Sequence, residues 1–306
     1  MPGHPQTETL NPSLGIHRRP WLFFGIWILV CAVFYLKPLS TLFRFAISSD
    51  DASHILLVPF ISAWLFYAER KKYSNPTPDL RTASPLAVLA VAITAVILFH
   101  PIGQRSALAG LIGCFLLLLA SGFIAIFGFR SFRSDWFPLA FLAFLVPLPE
   151  RLLGRFIYLL QAGSAKIAET IFDWTGVPAL RDGFVFHLPR INIEVAKECS
   201  GIRSSLALLI LALLVAHFSF SKFWKKLVFV AAGLVMMIVK NGVRISTLTI
   251  LANNVNPEFL YGRLHREGGV VFFLLGLALL LPVYWVLRRG EGPFNLATPK
   301  TSASQS

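Results

Sequence analysis

Eight runs of apolar residues, separated by short polar or basic segments, constrain this chain more than any other feature of its sequence. Several are shorter than the roughly 20 residues that cross a bilayer, so their ends must include neighbouring residues. Hydrophobic residues make up 56% of the chain and charged residues 14%, whereas soluble domains carry about 25% charged residues. The pattern predicts an all-α, polytopic integral membrane protein with about eight transmembrane helices. The runs are Trp21 to Leu36, His54 to Ala68, Pro85 to Phe99, Ala107 to Phe127, Trp136 to Pro149, Ser204 to Phe220, Leu227 to Leu251 and Gly268 to Leu287.

The formal net charge of +13 comes from Lys and Arg residues scattered in short clusters between the apolar runs. A nucleic-acid-binding protein gathers such residues into one domain or tail, so we predict the lipid bilayer as the acidic partner and no nucleic acid. The three cysteines are too few and odd in number for a dense disulfide framework. The chain has no zinc-type Cys/His spacing, no Walker loop and no G-x-G-x-x-G, so we expect no cofactor and no metal.

The segment Arg151 to Asp173 has apolar residues at helical spacing, but polar residues interrupt them. A spanning helix would place Lys166 and Glu169 near the bilayer centre at a high cost in free energy. An amphipathic helix at the interface leaves both in water. We therefore expect an extracytoplasmic interfacial helix that does not span. The interrupting residues are Arg155, Gln161, Ser164, Lys166 and Glu169.

The basic loops predict which side of the membrane each segment faces. With Arg18 and Arg19 in the cytoplasm, eight spans place the basic clusters named below on the cytoplasmic side, in agreement with the positive-inside rule. The hydrophilic region Trp174 to Ser200 and the loop Ala252 to Glu267 then lie outside. The basic residues concerned are Arg70, Lys71, Lys72, Arg130, Arg133, Lys222, Lys225, Lys226, Arg288 and Arg289.

Three residues stand out from their surroundings and are predicted to share one depth. Cys199 precedes the sixth predicted span, Arg244 lies within the seventh, and His265 precedes the eighth. Arg244 follows Leu227 by roughly 26 Å of helix, at about 1.5 Å per residue, so it lies near the outer interface. A thiol, an imidazole and a guanidinium in this layer can act as nucleophile, acid/base and anion stabiliser.

The surroundings of Cys199 favour the thiolate in two ways. The helix that follows contributes its dipole, and Arg203 lies four residues on. Glu198 opposes the thiolate unless it pairs with an arginine. His265 can take the thiol proton, and Arg244, which stays charged, can hold a carboxylate or an oxyanion.

Each of these residues also has a purely structural explanation, because cysteines pack, arginines snorkel and loop histidines face water. Their shared depth favours function. Cys31 and Cys114, inside apolar runs, are predicted to be packing residues. Lys240 and Asn241 share a helix face with Arg244, which predicts that this face meets protein or water and not lipid.

The string Glu198-Cys199-Ser200-Gly201-Ile202-Arg203-Ser204, followed by Asn241-Gly242-Val243-Arg244-Ile245 and His265, resembles the exosortase/archaeosortase family of multi-pass membrane cysteine transpeptidases. Ser53-His54, Leu57-Val58-Pro59 and Ile193-Glu194-Val195-Ala196 are weaker likenesses, and the similarity runs from about Asp50 to Arg289. By position, the resemblance implies that Cys199 is the nucleophile of a thioester acyl-enzyme and that Arg244 and His265 complete a triad. The supporting residues would be Glu198, Ser200, Gly201, Arg203 and Asn241.

The resemblance further implies the substrate, which is the C-terminal tripartite sorting signal of exported proteins: a Pro-Glu-Pro-like motif, a transmembrane helix and a basic end. It implies a protein of the inner (cytoplasmic) membrane with an extracytoplasmic site and both termini in the cytoplasm. In bacteria the family often accompanies exopolysaccharide and biofilm gene sets. Some members carry a fused C-terminal partner domain, which we do not find in this sequence. A separate accessory protein is therefore an open alternative for this role.

These implications divide the chain into a polar cytoplasmic tail (1–20), a membrane catalytic domain (21–289) with an extracytoplasmic segment at about 150–203, and a disordered cytoplasmic tail (290–306). Two alternatives remain open. A plain membrane cysteine protease would use water to resolve the acyl-enzyme. A transporter or scaffold without covalent chemistry would also fit Lys240 and Arg244 within a span.

Overall fold

The computed structural model describes residues 19–73, 75–100, 103–195, 201–260 and 269–291, so most of both predicted tails lies outside the described residues. The helices are α1 (Arg19–Phe34), α2 (Leu36–Ser48), α3 (Val58–Glu69), α4 (Leu80–Phe99), α5 (Gln104–Phe127), α6 (Phe129–Ser134), α7 (Phe137–Phe141), α8 (Glu150–Thr175), α9 (Ile202–Ser219), α10 (Phe223–Asn254) and α11 (Gly269–Arg288). Short 3₁₀ helices cover Asp50–Leu56, Arg70–Tyr73, Leu142–Leu145 and Pro257–Leu260.

The predicted all-α polytopic membrane architecture is confirmed. Among the described residues, five helices are long and apolar enough to cross a bilayer, namely α4, α5, α9, α10 and α11. Two further pairs, α1 with α2 and α7 to Leu145 with α8, pass the same test only as sharply bent pairs, which raises the count to seven. The predicted span His54 to Ala68 is not among these seven, and the predicted span Trp136 to Pro149 qualifies only together with α8. Helix α3, within the first of these two spans, has 12 residues and rises only about 18 Å of the roughly 30 Å required.

The described residues divide into two compact units. Unit 1 comprises the described residues within 1–45 and 55–147, and unit 2 comprises those within 46–54 and 148–306. In unit 1, α5 packs against α1 and α4, and its core is aromatic. Trp21, Phe24, Phe123 and Phe127 contact one another there through ring pairs with centroids 4.8–6.4 Å apart.

Unit 2 is a helical bundle built around α10, which packs against α8, α9 and α11. α9 and α11 run antiparallel to α10. At one end Phe220 of α9 contacts Phe229 of α10, and Lys225 of α10 donates to the Arg289 carbonyl. Nearer the other end, Gly201 and Gly276 approach the Lys240 side chain.

The predicted helix between Arg151 and Asp173 is present as α8, and it follows α10 lengthwise. Leu160 shares a core cluster with Met237, Gly163 faces Ile238, and Ile167 faces Gly242. The contacts advance in the same direction along both chains, so α8 runs parallel to α10. Its location at the membrane surface stays a prediction.

The polar residues of α8 divide between its two sides. Lys166 is 71% exposed, as expected, and pairs at 3.0 Å with Glu169, which also binds Arg181 at 3.0 Å. In contrast, Gln161 and Ser164 are buried at 7% and 0% exposure. These two residues are therefore packing contacts of unit 2 rather than interruptions on a wet face.

A small antiparallel sheet follows α8, and the sequence analysis did not predict it. Its strands are β1 (Leu180–Asp182), β2 (Val185–His187) and β3 (Asn192–Glu194), in the order β1-β2-β3. Asp182 pairs with Val185 across a two-residue loop, and Gly183 at its first position has φ +60°, which glycine adopts readily. The buried Phe186 holds the sheet on Phe172 of α8, with ring centroids 5.3 Å apart.

The two ends of α10 contact different parts of unit 2. At the N-terminal end, Lys225 pairs with Glu291 at 3.0 Å, close to Arg289. Burial raises the pKa of Glu291, but hydrogen bonds from Ser221 and Lys225 outweigh burial and leave the pKa below its usual range. At the C-terminal end, Arg190 beyond β2 donates to the Asn253 carbonyl. The two predicted cytoplasmic clusters of unit 2 thus lie together, opposite the sheet.

Cysteine labelling tests the orientation of unit 2. In right-side-out membrane vesicles of a variant without native cysteines, Trp174→Cys should react with a membrane-impermeant maleimide, because Trp174 is 84% exposed at the sheet end. Phe223→Cys, at the other end and 75% exposed, should react only after the vesicles are opened. The reverse pattern would invert the predicted topology, and labelling of both sites after detergent lysis controls for intrinsic reactivity.

Candidate functional site

After the Cys199 segment, the described chain resumes at Gly201, at the N-terminus of α9. Gly201 is the N-cap of this helix, with φ +63° in the left-handed region. Cys199, Glu198 and Ser200 lie outside the described residues. The predicted helix after Cys199 is therefore present and begins three residues on, at Ile202. A helix N-terminus presents unpaired backbone N–H groups and partial positive charge.

Gly201 touches α10 at the second sequence motif. A Cβ at Gly201 would lie 2.7 Å from Asn241 Oδ1 and 3.6 Å from Lys240 Nζ. A side chain here would collide with Asn241, and the left-handed φ would add strain. Glycine therefore permits the start of α9 to rest against α10, three residues before Arg244 along the chain.

The predicted protein-facing side of α10 is confirmed at two positions. Lys240 and Asn241 are each 1% exposed. Lys240 Nζ donates to Ser204 Oγ of α9 at 2.5 Å, and Asn241 Nδ2 donates to Ser164 Oγ of α8 at 3.0 Å. Arg244, one turn beyond Lys240 in α10, is half-buried. Arg203, at the start of α9, is exposed.

The chain before Cys199 is held at Val195. The Val195 amide donates to the Phe184 carbonyl at 2.8 Å, and its carbonyl accepts from Gln161 Nε2 of α8 at 2.7 Å. Sequence analysis did not assign a role to Gln161 because only the sheet brings Val195 to α8. Val195, before the Cys199 segment, thus contacts Gln161 of α8, and Gly201, after it, contacts Asn241 of α10.

α11 also packs against Lys240 of α10, through Gly276. A Cβ at Gly276 would lie 3.2 Å from Lys240 Cδ and 3.2 Å from Leu208 Cδ2. α11 is antiparallel to α10 and begins at Gly269, seven residues before Gly276. Gly269 therefore lies about 10 Å beyond the level of Lys240, toward the end of α10 that carries Arg244. His265 lies four residues before Gly269 and outside the described residues. α11 therefore begins toward the end of the bundle that carries Arg244.

The described residues bring together Gly201, Asn241 and Lys240. The triad of Cys199, Arg244 and His265 stays a prediction, because the positions of Cys199 and His265 are not described. The structure does describe the other two cysteines. Cys31 and Cys114 are buried free thiols within helices, so their predicted packing role is confirmed.

Unit 1 contains a second buried polar cluster that the sequence analysis missed. Tyr73 Oη donates to Asp135 at 2.7 Å, and Lys72 lies 3.4 Å from both Asp135 and the buried Glu69. Burial, together with a hydrogen bond to Glu69, raises the pKa of Asp135 to about 7. Only tertiary packing brings the end of α3 to the loop after α6, so residue spacing along the chain could not predict this cluster. The contacts also place two predicted cytoplasmic loops at one end of unit 1.

Comparison with models of protein families gives a match over residues 46–282, more than half of the chain, to the family described as Transmembrane exosortase (Exosortase_EpsH). No curated protein and no solved structure matches the chain. The matched range includes both motif segments and the whole of α8, α9 and α10.

Gly242 decides how closely α8 approaches the site. A Cβ there would lie 2.5 Å from Ile167 Cβ and 3.0 Å from the Ser164 carbonyl oxygen. We expect Gly242→Ala to lower the free energy of unfolding in detergent by about 1–3 kcal/mol, through overpacking. Gly154→Ala in α8 is the matched control, because its Cβ would meet nothing within 4 Å. Equal stability of the two variants would show that the helices separate without cost.

Proposed function

The chain belongs to the transmembrane exosortase family, and on that premise we propose that it is a membrane cysteine transpeptidase that cleaves a C-terminal sorting signal. The family is generally one of membrane cysteine transpeptidases, and the apolar helices make this chain a multi-pass membrane protein. The nucleophile would be Cys199, with Arg244 and His265 as its partners.

The observation that carries the proposal is the contact between Gly201 and Asn241. These residues belong to two motifs about 40 residues apart along the chain. Gly201 follows Cys199 by two residues, and Asn241 precedes Arg244 by three. Their contact supports a site in which the thiol segment lies against the helix that carries the guanidinium.

The proposed reaction has two steps. The Cys199 thiolate attacks the scissile carbonyl carbon, the S–C bond forms, and the C–N bond breaks to leave a thioester. His265 takes the thiol proton and delivers it to the leaving amine. An acceptor amine, or water, then attacks the thioester and regenerates the thiol.

The charge that develops on the carbonyl oxygen needs a fixed donor. Arg244 cannot lose its proton, so it serves as an anion stabiliser and not as a base. The first backbone N–H groups of α9 are a second source of positive potential beside Cys199. Both lie on rigid helices, which favours a preorganised site.

The proposed substrate is an exported protein whose C-terminus carries a Pro-Glu-Pro-like motif, a transmembrane helix and a basic end. Such a helix would enter the bilayer beside the enzyme, with its basic end in the cytoplasm by the positive-inside rule. Its scissile bond would then reach the extracytoplasmic end of the bundle. The site is proposed to face that side of the inner membrane, with both termini in the cytoplasm.

The burial of Lys240 disfavours the alternative of a transporter. Charged residues that serve a transport path face a water-filled cavity, whereas Lys240 is 1% exposed and bonded to Ser204. The choice between water and another acceptor in the second step separates a protease from a transpeptidase. Mass spectrometry of the new C-terminus of a processed substrate distinguishes them.

Replacement of the nucleophile tests the class of mechanism. We expect Cys199→Ala to lower processing of a co-expressed substrate with the tripartite tail by at least about 10³-fold, as loss of a catalytic nucleophile does. Cys114→Ala, at a buried packing cysteine, is the matched control and should retain processing. A Cys199→Ala variant that inserts normally and still processes the substrate would exclude covalent catalysis.

The pH dependence of kcat/KM tests His265. A thiol and an imidazole that exchange a proton give a bell-shaped profile, with its two limbs set by the pair. In His265→Ala the limb in the range where histidine titrates should disappear, and the residual rate should become flat there. A wild-type profile that is already flat through that range would remove His265 from acid/base catalysis.

A further inference from the structure

Unit 1 contains an apolar groove that the proposed reaction does not use. Residues of α1, α2, α3, α5 and α7 line this groove, and its volume is about 870 Å³, within the roughly 300–1,000 Å³ of small-molecule sites. Of the lining residues, Phe24, Leu42 and Leu119 are buried, whereas Phe43 and Phe60 are exposed. The groove is therefore walled by several helices and still open at its rim.

Helix α1 keeps part of the groove open with a glycine. Trp21, Gly25 and Ile28 all line the groove, and their spacing of four and three residues puts them on one face of α1. An added Cβ at Gly25 would meet nothing within 4 Å. A larger side chain at this position would therefore extend into the groove without a collision.

Trp21, Tyr67 and Arg70 mark one end of the groove. Trp21 packs on Tyr73 with ring centroids 5.7 Å apart, and Tyr73 ends the short helix that begins at Arg70. The Arg70 guanidinium lies 4.0 Å from the centroid of the Tyr67 ring. Trp and Tyr are enriched where a bilayer meets water, because each combines an apolar ring with a polar group. This end of the groove therefore has the composition of a membrane interface.

Away from Arg70, the groove follows apolar residues of α3. Ser62 is the polar exception, and its hydroxyl donates to the Pro138 carbonyl at 2.7 Å, so its single proton already has a partner. From Pro59 to Arg70 the helix rises about 17 Å. One leaflet contributes about half of the roughly 30 Å of hydrocarbon in a bilayer. The length of the groove thus matches an acyl chain that reaches from the headgroup level to the bilayer centre.

Arg70 gives the groove a positive charge that the protein does not neutralise. One of its five N–H donors goes to the Tyr67 carbonyl at 2.8 Å, and no carboxylate of the described residues pairs with it. Lys72, in contrast, lies 3.4 Å from both Glu69 and Asp135. The remaining donors of Arg70 suit the oxygens of a phosphate group. Basic pockets on the cytoplasmic side, where this loop is predicted to lie, bind anionic lipid headgroups.

The charge of Arg70 also distinguishes between occupants. The transmembrane helix of the proposed substrate has a basic end in the cytoplasm, which Arg70 would repel. An anionic phospholipid carries the opposite charge at the same level, and its acyl chains are apolar throughout. The groove therefore suits a lipid better than it suits the helix of the substrate.

We infer that unit 1 binds one anionic phospholipid in this groove, with its phosphate at the Arg70 guanidinium and an acyl chain along α3. Under the predicted topology, the lipid belongs to the cytoplasmic leaflet. The proposed reaction uses no residue of unit 1, so this inference and the proposed function stand or fail separately.

Native mass spectrometry of the full chain measures the binding. The delipidated protein in a non-ionic detergent is titrated with palmitoyl-oleoyl phosphatidylglycerol, and separately with phosphatidylethanolamine that carries the same chains. We expect one phosphatidylglycerol to bind about tenfold more tightly, because the ammonium of phosphatidylethanolamine cancels the charge of its phosphate. Equal affinities for the two lipids would overturn the anionic headgroup.

Replacement of the arginine tests the headgroup contact. Arg70→Gln keeps hydrogen-bond donors but removes the charge, so it should weaken phosphatidylglycerol binding about tenfold and abolish the preference over phosphatidylethanolamine. Arg130→Gln is the matched control, because Arg130 is exposed in a predicted cytoplasmic cluster but does not line the groove. An equal loss in both variants would show general attraction to a basic surface and would overturn the site.

Filling the groove tests the acyl chain independently. Gly25→Leu should weaken the binding of both lipids at least about tenfold, because its side chain takes the space of the acyl chain. Gly113→Leu in α5 is the matched control, since an added Cβ there also meets nothing within 4 Å and Gly113 does not line the groove. Unchanged lipid binding by Gly25→Leu would overturn the inference. So would a bound mass, lost in Gly25→Leu, that belongs to a second copy of the chain or to a substrate tail.

Discussion

A polar side chain inside a membrane protein must find its hydrogen-bond partners within the protein, and this requirement shapes unit 2. α10 carries Lys240 and Asn241 side by side near the middle of a long apolar helix. Left against lipid, each would cost several kcal/mol. Ser204 of α9 and Ser164 of α8 supply the partners, so these two residues of α10 favour α8 and α9 as neighbours and fix the level at which they meet.

Small residues make these contacts geometrically feasible. At Gly201 and Gly242 an added Cβ would collide with the neighbouring helix, and at Gly276 it would make tight contacts of 3.2 Å with Leu208 and Lys240. Lipid gives apolar helices little reason to prefer one another over lipid, so close packing and interhelical hydrogen bonds decide which helices associate. Gly201 of the Cys199 motif is therefore required for helix packing, independently of any catalytic role. The same packing brings this end of the motif to α10.

The two ends of the bundle make different contacts. Lys225, Arg289 and Glu291 form a charged cluster at one end, while the sheet packs at the other, on α8 and the last turns of α10. Gln161 of α8 donates to the carbonyl of Val195, which lies between the sheet and the Cys199 segment along the chain. The buried network of Lys240, Ser204 and Gly201 lies between these two ends and holds the N-terminus of α9 against α10.

The sequence by itself determined the membrane class, the helix over Arg151 to Asp173, the helix that begins after Cys199, and the buried face at Lys240 and Asn241. These follow from apolar periodicity and from the cost of charge in lipid, which are local properties of the chain. The sheet was missed although Asp182-Gly183 is a hairpin signal, because the flanking strands have only three residues each. The Gln161 bond, the Ser204 and Ser164 partners and the Tyr73–Asp135 bond join residues 34 to 77 positions apart. Only the tertiary structure could decide them, since no local pattern says which helices pack together.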